Sequence, residues 1–128
     1  MHTKDINRLT GIILDVAITV HRHMGPGLLE SIYEKCMMKE FEIRGISARS
    51  QVPVPIKYKG FNIPGEFRID ILVEDLVIIE LKSSESNHPV FEAQLISYLR
   101  LTNKKIGFLV NFNVPILKEG IKRFVNKL

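Results

Sequence analysis

The chain has 128 residues and a mass of 14.7 kDa, which suits one domain (residues 1–128) with a single hydrophobic core. Its mean hydropathy of +0.08 is ordinary for a compact protein, and no apolar run approaches the roughly 20 residues that a membrane-spanning helix needs. The net charge of +4 is compatible with a polyanionic partner such as nucleic acid, but it is too small to establish one.

Cysteine content and the N-terminus bear on the compartment. One cysteine excludes an internal disulfide and a cysteine-based zinc site. The first residues, Met-His-Thr-Lys-Asp, lack the apolar region of a secretory signal. We therefore expect a cytoplasmic protein without a membrane partner.

Two amphipathic helices are predicted in the first third of the chain. Residues 5–23 carry apolar side chains at helical spacing and end before Gly25. A second helix is predicted over residues 29–44 and ends before Gly45. Its apolar side contains Leu29, Ile32, Cys36, Met37 and Phe41.

Three residues of these helices could in principle bind a metal or act as a nucleophile. His21 and His23 are two positions apart and lie on different sides of a helix, so a surface or packing role is favoured over a metal pair. Cys36 falls within the apolar stripe, which favours a small buried hydrophobe over a nucleophile.

Residues 48–58 alternate in the manner of a β-strand. Pro53 and Pro55 on one side of this segment predict an edge strand or a bulged one. A turn at Lys59-Gly60 leads into a short strand that begins at Phe61. With the segment that follows, this order predicts a three-stranded antiparallel meander.

Residues 68–82 predict two apolar strands that carry charges at unexpected positions. Phe67, Ile69, Ile71 and Val73 are expected on one face of the first strand, and Val77, Ile79 and Leu81 on one face of the second. Asp70, Glu80 and Lys82 lie on the opposite faces of these strands. Unpaired charges are costly in so apolar a setting, so these three residues are candidates for function.

The register of this hairpin decides whether the two carboxylates meet. A two-residue loop at Glu74-Asp75 places Asp70 opposite Ile79, and Glu80 then points to the other side of the sheet. A three-residue loop or a bulge places Asp70 across from Glu80. In that register a bound cation or a raised pKa would relieve the repulsion. The alternative is that Glu80 and Lys82 pair with other charges on a solvated face.

A helix over residues 89–101 and a strand over residues 105–112 are predicted next. Pro89 suits the first helical position, and the order strand, helix, strand implies a crossover and a parallel pair. Gln94 and Tyr98 are four apart and project toward the same neighbour, although Tyr98 also suits simple packing. The tail, residues 115–128, is compatible with a helix or with a strand at 121–125.

Three motifs in this order resemble the PD-(D/E)XK nuclease superfamily. They are Asp70 on one strand, Glu80-Leu81-Lys82 on the next, and Gln94 and Tyr98 on the following helix. Gly27, Glu30 and Tyr33 match the signature of the GxxExxY protein family, and Gly-Phe-Leu-Val-Asn-Phe-Asn at residues 107–113 is also similar to that family. Arg68-Ile69 precedes Asp70 where the superfamily name implies proline.

The resemblance implies an α/β (α+β) fold with a restriction-endonuclease-like core. Its centre would be a mixed β-sheet, an antiparallel meander plus a parallel strand after a crossover helix, flanked by helices. It also implies a metal-dependent nuclease that hydrolyses phosphodiester bonds in DNA or RNA.

The resemblance assigns a role to each candidate residue. Asp70, Glu80, the Leu81 carbonyl and Glu30 would hold Mg²⁺ or Mn²⁺, although an acid at a helix start is also favoured by the helix dipole. Lys82 would orient or deprotonate the attacking water or neutralise charge on the phosphate. Gln94 and Tyr98 would position the nucleophile or contact the strand near the cut.

Two other classes of function remain open at this point. One is a nucleic-acid-binding or regulatory module that kept the fold and lost turnover, and the other is a protein-interaction domain. Since 128 residues leave little beyond a catalytic core, recognition of a target is expected to need a partner protein or a second copy of the chain.

Overall fold

The structure is a computed structural model that describes residues 3–65 and 67–126. In chain order its elements are α1 (Thr3–Met24), α2 (Glu30–Ile43), β1 (Ala48–Pro53), β2 (Ile56–Tyr58), β3 (Phe61–Ile63), β4 (Arg68–Val73), β5 (Val77–Lys82), α3 (Pro89–Thr102), β6 (Ile106–Asn111), a 3₁₀ turn (Leu117–Gly120) and β7 (Ile121–Val125).

A five-stranded mixed sheet forms the centre of the fold. Its strand order is β1-β4-β5-β6-β7, and β5 and β6 form a parallel pair while the other neighbours are antiparallel. The parallel pair is joined through α3, as the strand, helix, strand order predicts. The predicted fold class is therefore confirmed.

The sheet has a hydrophobic cluster on each face. Helices α1 and α2 pack against one face through a cluster that includes Tyr33, Met37 and Phe41. Helix α3 packs against the other face through Leu95 and Leu99. Two helical layers therefore enclose a sheet whose central strands are almost entirely buried.

The hairpin between β4 and β5 has a three-residue loop. Val73 pairs with Val77, which leaves Glu74, Asp75 and Leu76 in the loop. Glu74 and Asp75 adopt left-handed backbone conformations, with φ of 53° and 57°. This is the register in which Asp70 lies across from Glu80.

The predicted meander is wrong in one respect. The segment 48–58 divides after Pro53, and β2 pairs with β3 in a separate two-stranded sheet while β1 pairs directly with β4. The division falls at the Pro-Val-Pro sequence, because proline has no N–H to donate to a ladder. Only Val54 between the two prolines donates, to the carbonyl of Phe67 at 2.8 Å. The prediction that β1 is an edge strand is confirmed.

Burial in α1 and α2 corrects one prediction for the helical half of the chain and shows the surroundings of Cys36 and His21. Leu29 precedes α2 and is 72% exposed, so its predicted place on the apolar side of the helix is wrong. Tyr33 is fully buried instead. Cys36 is half-buried against the core, and the His21 ring is buried and bonds to the carbonyl of Val114 at 2.8 Å.

The tail adopts the strand alternative. Strand β7 pairs antiparallel with β6 after the 3₁₀ turn, and residues 127 and 128 lie outside the described part of the chain. In the segments 3–65 and 67–126, every helix is too short or too polar to cross a bilayer.

Candidate active site

Asp70 and Glu80 lie where the ladder between β4 and β5 stops. Ile71 and Ile79 are the last paired residues, and one step further the side chains replace the backbone as hydrogen-bond partners. A carboxylate oxygen of Glu80 accepts the backbone N–H of Asp70 at 2.8 Å, and a carboxylate oxygen of Asp70 accepts the N–H of Leu81 at 2.8 Å. Each carboxylate is therefore held against the backbone of the opposite strand.

The faces of β4 change at Asp70, which corrects the simple alternation expected from the sequence. Ile71 packs in the cluster beneath α1 and α2, whereas Ile69 packs in the cluster beneath α3. A strand with unbroken alternation would place both on one face. Pairing with β1 is also interrupted at this position, between Ser50 and Val52. Asp70 lies at this local twist, between the two cores.

Burial raises the pKa values of both carboxyl groups, and the charge of a nearby carboxylate adds to the effect in each case. Burial is the main cause for Asp70, with the charge of Glu30 adding to it and the charge of Lys82 opposing it. For Glu80, burial followed by the charge of Asp70 raises the pKa to about 8. The pair therefore resists carrying two negative charges until a cation or a proton compensates it.

Glu34 and Gln51 contribute to this site, and sequence reasoning missed both. Gln51 faces Asp70 across the interrupted ladder with a φ of 53°. Its amide donates to the carboxylate of Glu34 at 2.7 Å and to that of Asp70 at 3.5 Å. Burial, and then the charge of Asp70, raise the pKa of Glu34. Glu34 lies one helical turn after Glu30 on the same face of the helix, and this spacing could have identified it from the sequence.

The residues of the GxxExxY pattern build the approach to α2. Gly27 has a φ of +91°, a conformation that glycine adopts without strain. The Tyr33 hydroxyl accepts the N–H of Leu28 and donates to the carbonyl of Gly25, while its ring stacks on Phe112 at 4.2 Å between centroids. The loop is thereby closed, and Glu30 begins the helix at a fixed place.

Glu30 lines the same small cavity as the carboxylate of Asp70. The cavity holds about 190 Å³ and is lined by Glu30, Ser31, Glu34, Gln51, Asp70 and Leu81. Glu30 itself is exposed, and its charge is one cause of the raised pKa of Asp70. The structure thus brings Glu30, Asp70 and Leu81 to one opening, with Glu80 buried behind it.

Lys82, Gln94 and Tyr98 line a second opening, on the α3 side of the sheet. The Gln94 amide donates to the Tyr98 hydroxyl at 3.0 Å, and the Lys82 ammonium lies 4.5 Å from the centre of the Phe91 ring. Burial and then the charges of Glu80 and Asp70 raise the pKa of Tyr98. The two openings are therefore linked through the carboxylate pair.

Asn111 holds the loop that follows Lys82. Its side-chain oxygen accepts the N–H groups of Ser84 and Asn113, both at 3.1 Å, and its side-chain amide donates to the backbone carbonyl of Ser84 at 3.0 Å. Asn111 is almost fully buried and pairs with Lys82 in the parallel ladder. Its polar position in the apolar strand β6 is explained by this loop.

The acidic groups do not form a ready-made metal cage. Within residues 3–65 and 67–126, no three Asp, Glu, His or Cys side chains converge closely enough to hold an ion. The carboxylates of Asp70 and Glu80 are instead bonded to backbone N–H groups. By chemistry the donor set still suits a hard divalent cation, because it consists of carboxylate oxygens and a nearby backbone carbonyl.

A family model of the PD-(D/E)XK nuclease superfamily matches residues 7–124. A search of curated proteins and a search of solved structures each gave no match.

Proposed function

Because the chain belongs to the PD-(D/E)XK nuclease superfamily, we propose that it hydrolyses phosphodiester bonds in nucleic acid with the help of Mg²⁺ or Mn²⁺. The observation that carries this proposal is the pairing of half-buried Asp70 with buried Glu80. Burial raises the pKa values of both, and the charge of Asp70 raises that of Glu80 further. Burying two like charges is costly, and the cost is understandable if a cation offsets it.

The residues that would hold the cation are Asp70, Glu80 and the carbonyl of Leu81, completed by Glu30. Glu34 is an additional oxygen donor on the same cavity. A divalent cation there would polarise a phosphate oxygen and lower the pKa of a water molecule.

The remaining groups act on the substrate directly. Lys82 supplies a positive charge that neutralises the developing charge on the phosphate or orients the attacking water. Gln94 and Tyr98 form a hydrogen-bonded pair beside it and position the strand near the scissile bond. We also propose that the chain belongs to the GxxExxY group, because Gly27 and Tyr33 fix the start of the helix that carries Glu30.

The test is hydrolysis of labelled single- and double-stranded DNA and RNA with Mn²⁺ or Mg²⁺. Asp70→Asn keeps the size of the side chain and removes its charge, so it should lose metal binding and cleavage together. Glu119→Gln, an exposed acidic change near the C-terminus, is the matched control and should keep both. Metal-independent cleavage, or cleavage that survives Asp70→Asn, would refute the assignment.

A nucleic-acid-binding module without turnover is the second candidate. It is favoured by the absence of a three-ligand cluster within the described segments. The two candidates differ in one measurement, because a binding module retains affinity for nucleic acid while producing no cleavage with any divalent metal.

A further inference from the structure

The α3-side opening continues into an apolar groove of about 510 Å³, within the range of about 300–1,000 Å³ that is usual for ligand sites. We call it the aromatic groove and define it by its three aromatic residues, Phe67, Phe91 and Tyr98. The rings of Phe67 and Tyr98 meet edge to face at 6.3 Å. Lys82 stands over the ring of Phe91. The groove therefore begins at the catalytic lysine.

The outer wall of the aromatic groove extends onto the β2–β3 hairpin. Ile56 lines the groove, and it pairs with Ile63, while Tyr58 pairs with Phe61. Because directly paired residues and every second residue share a face, these four side chains form one apolar row. Tyr58 is 61% exposed and Phe61 is 72% exposed. Soluble proteins rarely expose such a row without a binding role.

The charge around this row is positive. Residues 56–63 contain two lysines and no acidic residue. The Lys59 ammonium lies 5.3 Å from the centre of the Tyr58 ring, and Lys57 projects from the other face of the hairpin. A ring flanked by a cation suits a base above and a phosphate beside it, which is the usual arrangement in proteins that bind single strands.

We infer that the aromatic groove and the β2–β3 hairpin bind unpaired bases, so that the substrate is a single-stranded nucleic acid or a single-stranded segment. In a duplex the faces of the bases are stacked on each other, and aromatic side chains have no face to contact. An unpaired strand offers both the bases to the apolar row and the phosphates to the lysines. One part of this inference rests on the proposed function, namely that the bound strand runs toward Lys82.

The test measures binding without turnover. Fluorescence anisotropy in EDTA compares labelled oligothymidylate and oligouridylate of about 16 nucleotides, the upper end of common single-strand site sizes, with their duplexes. The wild type should prefer the single strands. The double variant Tyr58→Ala and Phe61→Ala should lose about 5- to 100-fold in affinity for them. Both side chains are exposed, so the fold should persist, and circular dichroism checks this.

Two variants serve as controls. Asn62→Ala removes a side chain from the opposite face of the same hairpin, and Ile43→Ala removes an exposed apolar side chain at the end of α2. Both should bind as the wild type does. The salt dependence of binding should be the same in the double variant, because phosphate contacts set it.

Three results would overturn the inference. They are equal affinity for single and double strands, an unchanged affinity in the double variant, and a self-association of the wild type that the double variant abolishes, which would make the row a contact between copies. The proposed function fails separately. Single-strand binding that needs Tyr58 and Phe61 but yields no cleavage would leave the inference standing and reject the nuclease. Cleavage of single and double strands at rates that the double variant leaves unchanged would support the nuclease and overturn the inference.

Discussion

Gln51 links helix α2 to the carboxylate pair and has a strained backbone. A non-glycine residue with a φ of 53° in the middle of an edge strand costs of order 1–3 kcal/mol and persists only where the surroundings impose it. Here the surroundings are the carboxylates of Glu34 and Asp70, to both of which the Gln51 amide donates. The strained residue thus joins α2 to the carboxylate pair.

Two substitutions at Gln51 separate strain from function. Gln51→Ala keeps the strain and loses the amide, so we expect lower stability and a roughly 10-fold weaker affinity for Mn²⁺, as is usual when a residue supporting metal ligands is removed. Gln51→Gly loses the same amide but relieves the strain, so it should be more stable than Gln51→Ala by about 1 kcal/mol with the same weak affinity. Urea unfolding and calorimetric titration measure the two quantities. Wild-type affinity in both variants would show that Gln51 plays no part in the site.

Lys82 distinguishes catalysis from simple cation binding. Lys82→Ala should leave the affinity for Mn²⁺ intact or slightly higher, because a positive neighbour of the carboxylates is gone. The cleavage rate should fall by about 10²–10³, the usual effect of removing a positioned charge stabiliser. Single-turnover kinetics and calorimetry check the two outcomes, with the exposed Lys118→Ala as control. A full rate in the Lys82 variant would contradict the assigned role.

At the scale of elements, the extent of prediction depended on whether the information was local. Helices and central strands followed from periodicity, and the edge position of β1 followed from Pro53 and Pro55. The hairpin register could not be decided from the sequence, because the residues around Glu74 and Asp75 are compatible with a loop of two residues and with a loop of three. The twist at Asp70 was invisible, because it depends on Gln51 of another strand.

The turn before β7 offers a test of element packing. A β-carbon on Gly120 would overlap the backbone carbonyl oxygen of Asn111 and lie 3.0 Å from Val114. The first of these atoms belongs to the backbone of β6 and cannot move aside freely. We expect Gly120→Ala to destabilise the protein by at least about 1–3 kcal/mol, the range found for overpacking.

A glycine in α1 provides the opposite case. A β-carbon on Gly11 meets nothing within 4 Å, and alanine is the better helix former, so Gly11→Ala should stabilise the protein by about 0.5–1 kcal/mol. Thermal or urea unfolding of the two variants gives the comparison. Equal stabilities would contradict the tight approach of the turn to β6.

In the molecule as a whole, half-buried Asp70 and buried Glu80 lie between two cores and belong wholly to neither. Ile69 packs on the α3 side and Ile71 on the side of α1 and α2, so Asp70 is positioned by both layers. Loosening either core is therefore expected to disturb the site. The same placement couples the charge state of the pair to the stability of the entire fold.

That coupling gives a pH dependence with a definite sign. Glu80 has an ordinary pKa of 4.5 when unfolded and a pKa of about 8 when folded. Between these values the folded state binds more protons than the unfolded state, so the free energy of unfolding of the metal-free protein falls as pH rises from about 4.5 to 8. The slope attributable to one such group is at most about 1.4 kcal/mol per pH unit.

Urea unfolding in EDTA across this range tests the coupling, with Glu80→Gln as the matched variant. The glutamine has the same shape and does not titrate, so the wild type should lose stability relative to the variant as pH rises. Part of the slope should remain in the variant, because burial also raises the pKa of Asp70. Adding Mn²⁺ at pH 8 should restore stability to the wild type more than to the variant, since a ligand bound only by the folded state stabilises it. Parallel pH curves for the two proteins would contradict a raised pKa at Glu80, and with it the idea that this pair is held ready for a cation.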